Sequence, residues 1–273
     1  MQLPISGPGA SPARSKTSRL FRTLFLLGAL LATAAMDQPS QPIVLSPEQA
    51  VKEGRALVEE MLTQQPEENA TTGTMTIRNR KGYQQIAIRF QTIVTSTNWV
   101  SVYQANQSNK VENITVVHTP GRPNTYYSGP NPFISAGSAR TSPDSHPAPL
   151  PGEAIMAPFV GSDFSIADLG LEFLHWPDQR LLQKEMKRSR SCRVLESINP
   201  HPVPGGYSRI KSWVDNESHG IVLAEAYDMN GKEMKEFVPK DFSKVNGQWQ
   251  LQEMQISNVQ TDSTTTVKFD LKE

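Results

Sequence analysis

Cysteine is almost missing from this chain: Cys192 is the one thiol in 273 residues. An intramolecular disulfide is therefore excluded, and no CxxC pair exists for zinc or redox work. Net charge is missing too, with 27 Lys+Arg against 27 Asp+Glu. A dedicated nucleic-acid binder needs a basic surplus to neutralise phosphates, so that class falls away. No long run of like charge occurs, and 37% of the residues are hydrophobic, enough for a substantial core. Catalytic signatures are equally scarce: there is no GxSxG elbow, no HExxH, no GxxxxGK[ST] and no GxGxxG. Ser208 and Lys211 match S-x-x-K formally, but they lie in an alternating, strand-like run and no KTG partner follows. The histidines His118, His146, His175, His201 and His219 form no pair at metal-ligand spacing. The expectation is a protein that is not an enzyme and uses no cofactor or metal.

What the chain does have begins at its N-terminus. Arg14, Lys16, Arg19 and Arg22 precede an apolar run around Leu24–Leu31, which ends in Ala32-Thr33-Ala34. A basic stretch, a short apolar run and an A-x-A triplet form the layout of a secretory signal peptide, expected to span residues 1–34 and to be cleaved near Ala34. The run is about half the ~20 residues that a membrane span needs. Removing it takes four bases from the 27:27 balance, leaving a mildly acidic remainder. The expected localisation is the periplasm, and residues 35–273 are read as a single domain.

Within that domain the hydrophobic period changes twice. Ser46-Pro47-Glu48-Gln49 opens a helix with a capping box and proline at the first position. Leu57, Val58, Met61 and Leu62 then fall on one apolar stripe. From Thr71 to Tyr127 the period is two, which predicts about five antiparallel strands. Residues 128–161 hold seven prolines among Ser, Gly and Ala, from Pro130 to Pro158, and read as a long surface excursion. Ser165 with Asp168 caps a second helix, whose stripe carries Ile166, Leu169, Phe173 and Leu174 and which Trp176-Pro177 ends. Strands return after Leu181, with Asn230-Gly231 and Asn246-Gly247 as hairpin turns. Two amphipathic helices and a long meander suggest a sheet curled around an apolar interior. Residues of this pattern also suit an ordinary packed core.

From Ser162 onward the residues resemble a known family. Ser162-Asp163-Phe164-Ser165-Ile166-Ala167-Asp168-Leu169 is similar to its helix-opening motif, and Cys192–Glu196 and Tyr207–Asp215 to the strands that follow. Ala224–Lys232 is similar to the next hairpin. The family is the outer-membrane lipoprotein-sorting, LolA-like periplasmic carriers. The resemblance implies a mainly β fold: an incomplete antiparallel β-barrel, a curved meander with amphipathic helices across its concave face as a lid. It implies an apolar cavity for the acyl chains of lipoproteins or other lipids. An inner-membrane exporter and an outer-membrane acceptor would be the partners. A lipid-sensing or interaction module acting with a membrane protein, such as a lipid exporter, is the alternative. Under the carrier reading, Leu57, Val58, Met61 and Leu62 on the first helix and Phe164, Ile166, Leu169 and Phe173 on the second form the lid. Met75, Ile77, Ile86, Ile88, Phe90, Trp99 and Trp213 are expected to line the sheet.

Overall fold

The alternating runs become twelve strands in one antiparallel sheet in a computed structural model, which describes residues 45–64, 66–107, 110–129, 148–245 and 248–271. The expected signal peptide and most of the proline-rich stretch lie outside those residues. Helix α1 (Pro47–Leu62) starts where the capping box predicts, with the Ser46 side chain accepting from the Gln49 N–H and the Gln49 side chain accepting from the Ser46 N–H. Five strands follow as expected: β1 (Asn69–Asn79), β2 (Gly82–Val94), β3 (Trp99–Gln107), β4 (Lys110–His118) and β5 (Thr125–Ser128). Seven more come after the connection: β6 (Asp178–Lys187), β7 (Arg190–Ile198), β8 (Arg209–Asp215), β9 (Ile221–Tyr227), β10 (Glu233–Val245), β11 (Gln248–Asn258) and β12 (Ser263–Phe269).

The strand order is β5-β4-β3-β2-β1-β12-β11-β10-β9-β8-β7-β6. Two meanders are thus sewn together where β12 pairs with β1, Val267 opposite Met75. The outer strands β5 and β6 are consecutive in sequence yet lie at opposite edges. Neighbouring strands sit ~4.8 Å apart, so the connection must cross a sheet roughly 50 Å wide along its surface. That necessity, more than any helix propensity, lays residues 148–177 across one face. The sheet does not close into a barrel; it is an open half-barrel.

Alternation decides what faces the connection. Met75, Ile77, Ile86, Ile114, Val116, Ile256 and Val267 are buried beneath Ile155, Phe159, Val160, Phe164 and Ile166 in one cluster. A second cluster joins Leu57 and Val58 of α1 to Phe173, Leu174, Leu181, Leu195, Ile210 and Val214. Helix α1 lies on β6 so closely that a Cβ at Gly54 would fall 2.7 Å from the Arg180 Cα. On the other face a small cluster gathers Cys192, Val194, Trp213, Leu223 and Val238.

Two expectations need correction. The second helix is only four residues long, α2 (Ile166–Leu169), followed by a 3-10 turn over Glu172–His175. Its capping box forms, but Gly170 and the left-handed Leu171 (φ 49°) break it. A Cβ at Gly170 would collide with the Tyr126 hydroxyl, so this close approach admits only glycine. The break sends Phe173 and Leu174 to the second cluster instead of continuing the stripe of Ile166. Trp213 does not line the concave face. In β8 it shares its face with cross-strand Val194 and Leu223, while Ile210 and Val214 point into the half-barrel. Lys187 and Lys211 lie over its ring, 4.2 and 4.4 Å from the centroid.

Candidate functional apolar cavity

Between the connection and the sheet lies an apolar cleft of about 440 Å³, broadly open to solvent. Its floor comes from β2, β3 and β10–β12 through Phe90, Tyr103, Phe237, Met254 and Phe269; its roof is Phe164, Leu169 and Leu171. The Phe90 ring lies 5.0 Å from that of Tyr103 and 6.3 Å from that of Phe269, both tilted. These three rings form one continuous aromatic floor. The size falls within the range of ordinary small-molecule sites, ~300–1,000 Å³.

The roof is fixed at its edges by polar contacts. The Tyr103 hydroxyl donates to the Leu169 carbonyl at 2.7 Å, and the Asn124 amide donates to the Gly170 carbonyl at 2.8 Å. Tyr126 donates to the Glu172 carboxylate at 2.9 Å. Asp163 accepts from Thr265 at 2.8 Å on β12. At the centre, one oxygen of Asp168 accepts from the Ser165 N–H at 2.7 Å and from the Tyr207 hydroxyl at 2.9 Å. Lys235 completes this latch, donating to the Tyr207 oxygen at 2.8 Å with its ammonium 3.8 Å from Asp168. Burial raises the phenols of Tyr103, Tyr126 and Tyr207 above their ordinary values, so all three stay protonated donors. Burial also raises the Glu172 carboxyl, against the opposing pull of its hydrogen bonds from Tyr126 and Asn124.

The cavity is open to solvent and runs into its neighbours. Asn69, Thr71, Phe90, Gln250 and Leu271 border both it and a wider, more polar groove of about 930 Å³. Toward the other end it shares Asp168, Leu171 and Phe237 with a void of only about 40 Å³ above Ile210 and Ala224.

Of the residues expected to form a site, Phe90, Phe164 and Leu169 meet at this cavity. Met75, Ile77, Ile86 and Ile166 lie under the same roof but are filled core, with Ile88 packed at their margin. Leu57, Val58 and Phe173 are core at the α1 end, with Met61 and Leu62 against them, so the first helix does not roof the cavity. Trp99 stacks on His118 (5.0 Å, 9°) in a separate groove of about 520 Å³ bounded by Val58, Leu62 and Trp176. The sequence reading missed Tyr103, Phe237, Leu251, Met254 and Phe269, although all lie in or beside runs read as strands. It also missed the latch, whose members are joined only by folding. Among the described residues no group of three His, Cys, Asp or Glu could hold a metal ion.

A family model described only as an uncharacterized protein matches residues 145–271. No curated protein matches the sequence. Solved structures do resemble the fold. A putative outer membrane lipoprotein-sorting protein domain from Vibrio parahaemolyticus superposes with a TM-score of 0.64 at 16% identity, over 81% of this chain and 92% of that one. A DUF1329 family protein from Desulfovibrio piger gives 0.62 at 17%, over 81% and 91%. A LolA superfamily protein from Nitrosomonas europaea gives 0.54 at 12%, over 82% and 94%. The fold, with its open sheet and crossing connection, is LolA-like.

Proposed function

We propose that this protein is a periplasmic carrier that shields the acyl chain of a lipoprotein or another lipid in the cavity between β2, β3, β10–β12 and the 164–171 segment. One observation carries the reading: an apolar cleft of about 440 Å³ bounded by Phe90, Tyr103, Phe164, Leu169, Phe237, Met254 and Phe269. A cleft of that size and lining suits an apolar chain. Each methylene withdrawn from water contributes roughly 0.8 kcal/mol, so burial alone retains such a chain and no covalent step is needed. The basic-then-apolar start of the sequence supports export, and the likeness in fold to the Vibrio lipoprotein-sorting domain supports the cargo class. Release requires a state of lower affinity, in which an exporter or acceptor partner favours an opened roof.

A second reading has its own observation. Phe242 and Trp249 on the β10–β11 hairpin are 50% and 71% exposed, as suits a module that presses an apolar surface on a membrane-protein partner. Mass spectrometry of lipids extracted from protein taken from the periplasm separates the two. The carrier should bring acyl chains with it in near-stoichiometric amount and release them when a neutral apolar fluorophore is added. Lipid-free protein that binds no fluorophore would leave only the module.

A further inference from the structure

The β10–β11 hairpin outruns its neighbours. Strand β9 pairs with β10 only as far as Phe237, and β12 with β11 only as far as Glu253. Beyond those points Phe242 to Val245 pair with Leu251 to Gln248 and with no other described strand. The result is a two-stranded arm that runs about 14 Å before its turn. The register sets Phe242 opposite Leu251 and Lys244 opposite Trp249, so these four share one face. Trp249, at 71%, is the most exposed large apolar side chain among the described residues, and Phe242 is 50% exposed. Lys244 is the one charged residue from Phe242 to Leu251. A lone two-stranded ribbon is marginal in water, so one whose face carries an indole and a phenyl ring calls for a surface that receives them.

The chemistry of the arm narrows what that surface is. At its root the β10 edge resists strand addition: Pro239 has no N–H to offer, and its carbonyl already accepts from Arg188 at 3.0 Å. A packed protein interface buries ~800 Å² on each side, whereas the exposed parts of the two rings amount to roughly 300 Å². A bilayer asks for no complementary area. Its interface takes single indoles, apolar body inward and N–H toward the headgroups, while a neighbouring lysine keeps its ammonium in water. The arm also borders the acyl cleft through Gln250 and Leu251, so a bilayer that the arm reaches lies beside the cleft. We infer that the β10–β11 arm docks on a lipid bilayer, seating Trp249 and Phe242 at the level of the headgroups. This goes beyond both readings above, since neither requires direct contact with bilayer lipid. Charge does not drive the contact: Asp241 counters Lys240 and Lys244, and the groove that Trp249 borders holds Glu67, Glu68 and Asp270 with Arg89. The rings carry it, and the charge of the lipid matters little.

The test sediments protein taken from the periplasm with sucrose-loaded vesicles, either of phosphatidylcholine or of phosphatidylethanolamine with phosphatidylglycerol. The protein should pellet with both, at affinities within about threefold of each other and little changed in about 0.5 M salt. Filling the cleft with a neutral apolar fluorophore should leave sedimentation unchanged, which separates the arm's contact from extraction of lipid as cargo. Phe242→Ser/Trp249→Ser should bind vesicles at least about tenfold more weakly, with its circular-dichroism spectrum and fluorophore retention intact. Vesicles of chain-brominated lipid should quench part of the tryptophan emission, and Trp249→Phe should remove that quenching while still sedimenting. Protein that stays in the supernatant with both vesicles, or a double variant that pellets as well as the parent, overturns the inference. Sedimentation with native inner-membrane vesicles but not with protein-free ones would assign the arm to a protein partner and overturn it equally. If the double variant does not fold, Trp249→Phe decides: bromine quenching that persists without Trp249 sinks the inference. Protein that binds vesicles yet retains no fluorophore would lose the carrier reading and keep the arm.

Discussion

The two ends of the concave face are built from the same alternating strands and end up differently. Over β6–β9, α1 and the turn at 172–175 press Leu57, Val58, Phe173 and Leu174 onto Leu181, Leu195, Ile210 and Val214; the space left over Ile210 and Ala224 is only about 40 Å³, while Val58 and Leu174 also border the groove of about 520 Å³ beside Trp99 and His118. Over β2, β3 and β10–β12 the roof stands above a floor of aromatic rings, and about 440 Å³ is left open. The contrast lies in the covering element. A helix with glycine at its contact approaches a strand backbone to backbone. A short helix broken at Gly170 and tied down by its carbonyls and carboxylates spans a gap that its side chains do not fill. Interiors ordinarily pack to the density of organic crystals, as the α1 end does; the cleft over β2, β3 and β10–β12 is left open to solvent instead.

A matched pair of charges gives the largest expected effect. Leu57→Glu places a carboxylate in the sealed end, where it has no partner, and should unfold the domain at a cost of several kcal/mol. Leu169→Glu sits at the cavity, with its backbone carbonyl still held by Tyr103. That variant should keep its circular-dichroism spectrum and lose retention of an apolar fluorophore. Equal unfolding of both would mean that the two ends are one core, and the contrast would collapse.

Gly54→Ala sharpens the comparison at its tightest contact. The added methyl would lie 2.7 Å from backbone atoms of Gln179 and Arg180, which cannot rotate away. Overpacking of this kind costs ~1–3 kcal/mol. Thermal unfolding should show a clear fall in Tm while fluorophore affinity, set at the other end, stays within twofold.

The smallest effect concerns Glu172, where the two ends meet. Burial raises its carboxyl pKa above the unfolded value, so the ionised form weakens the fold. That stability is fully present below about pH 4.5 and is lost as pH rises through the folded value. Glu172→Gln keeps an acceptor for Tyr126 and should raise Tm by a degree or two at pH 7, with no gain at pH 4. A gain independent of pH would assign the effect to something other than ionisation.

Much of this architecture was legible because it is local. Both capping boxes, at Ser46/Gln49 and Ser165/Asp168, form as their spacing predicts, and the five strands before the connection follow their alternation. What escaped depends on distant residues or on register. The face of Trp213 is set by its pairing with Val194 and Leu223, and the apolar rhythm of β6 is broken by a bulge between Leu181 and Gln183. The stop at Gly170 went unread, the stripe being carried on to Leu174, and the reason for it is Tyr126, more than forty positions earlier. The latch joins Asp168 to Tyr207 and Lys235, and Asp163 reaches Thr265, 102 positions away. Charge and hydroxyl at such separations leave no periodic trace.

The seam between β1 and β12 has a consequence for how the molecule comes into being. Each meander can zip by neighbouring hairpins, but the seam joins Met75 to Val267, a loop closure that takes in most of the domain. Such contacts are late and slow, because their entropy must be met before they return any stability. Phe269 on one side of that seam and Phe90 on the other both border the cavity. The cavity therefore does not exist in a nascent chain and is completed only when the last strand has arrived.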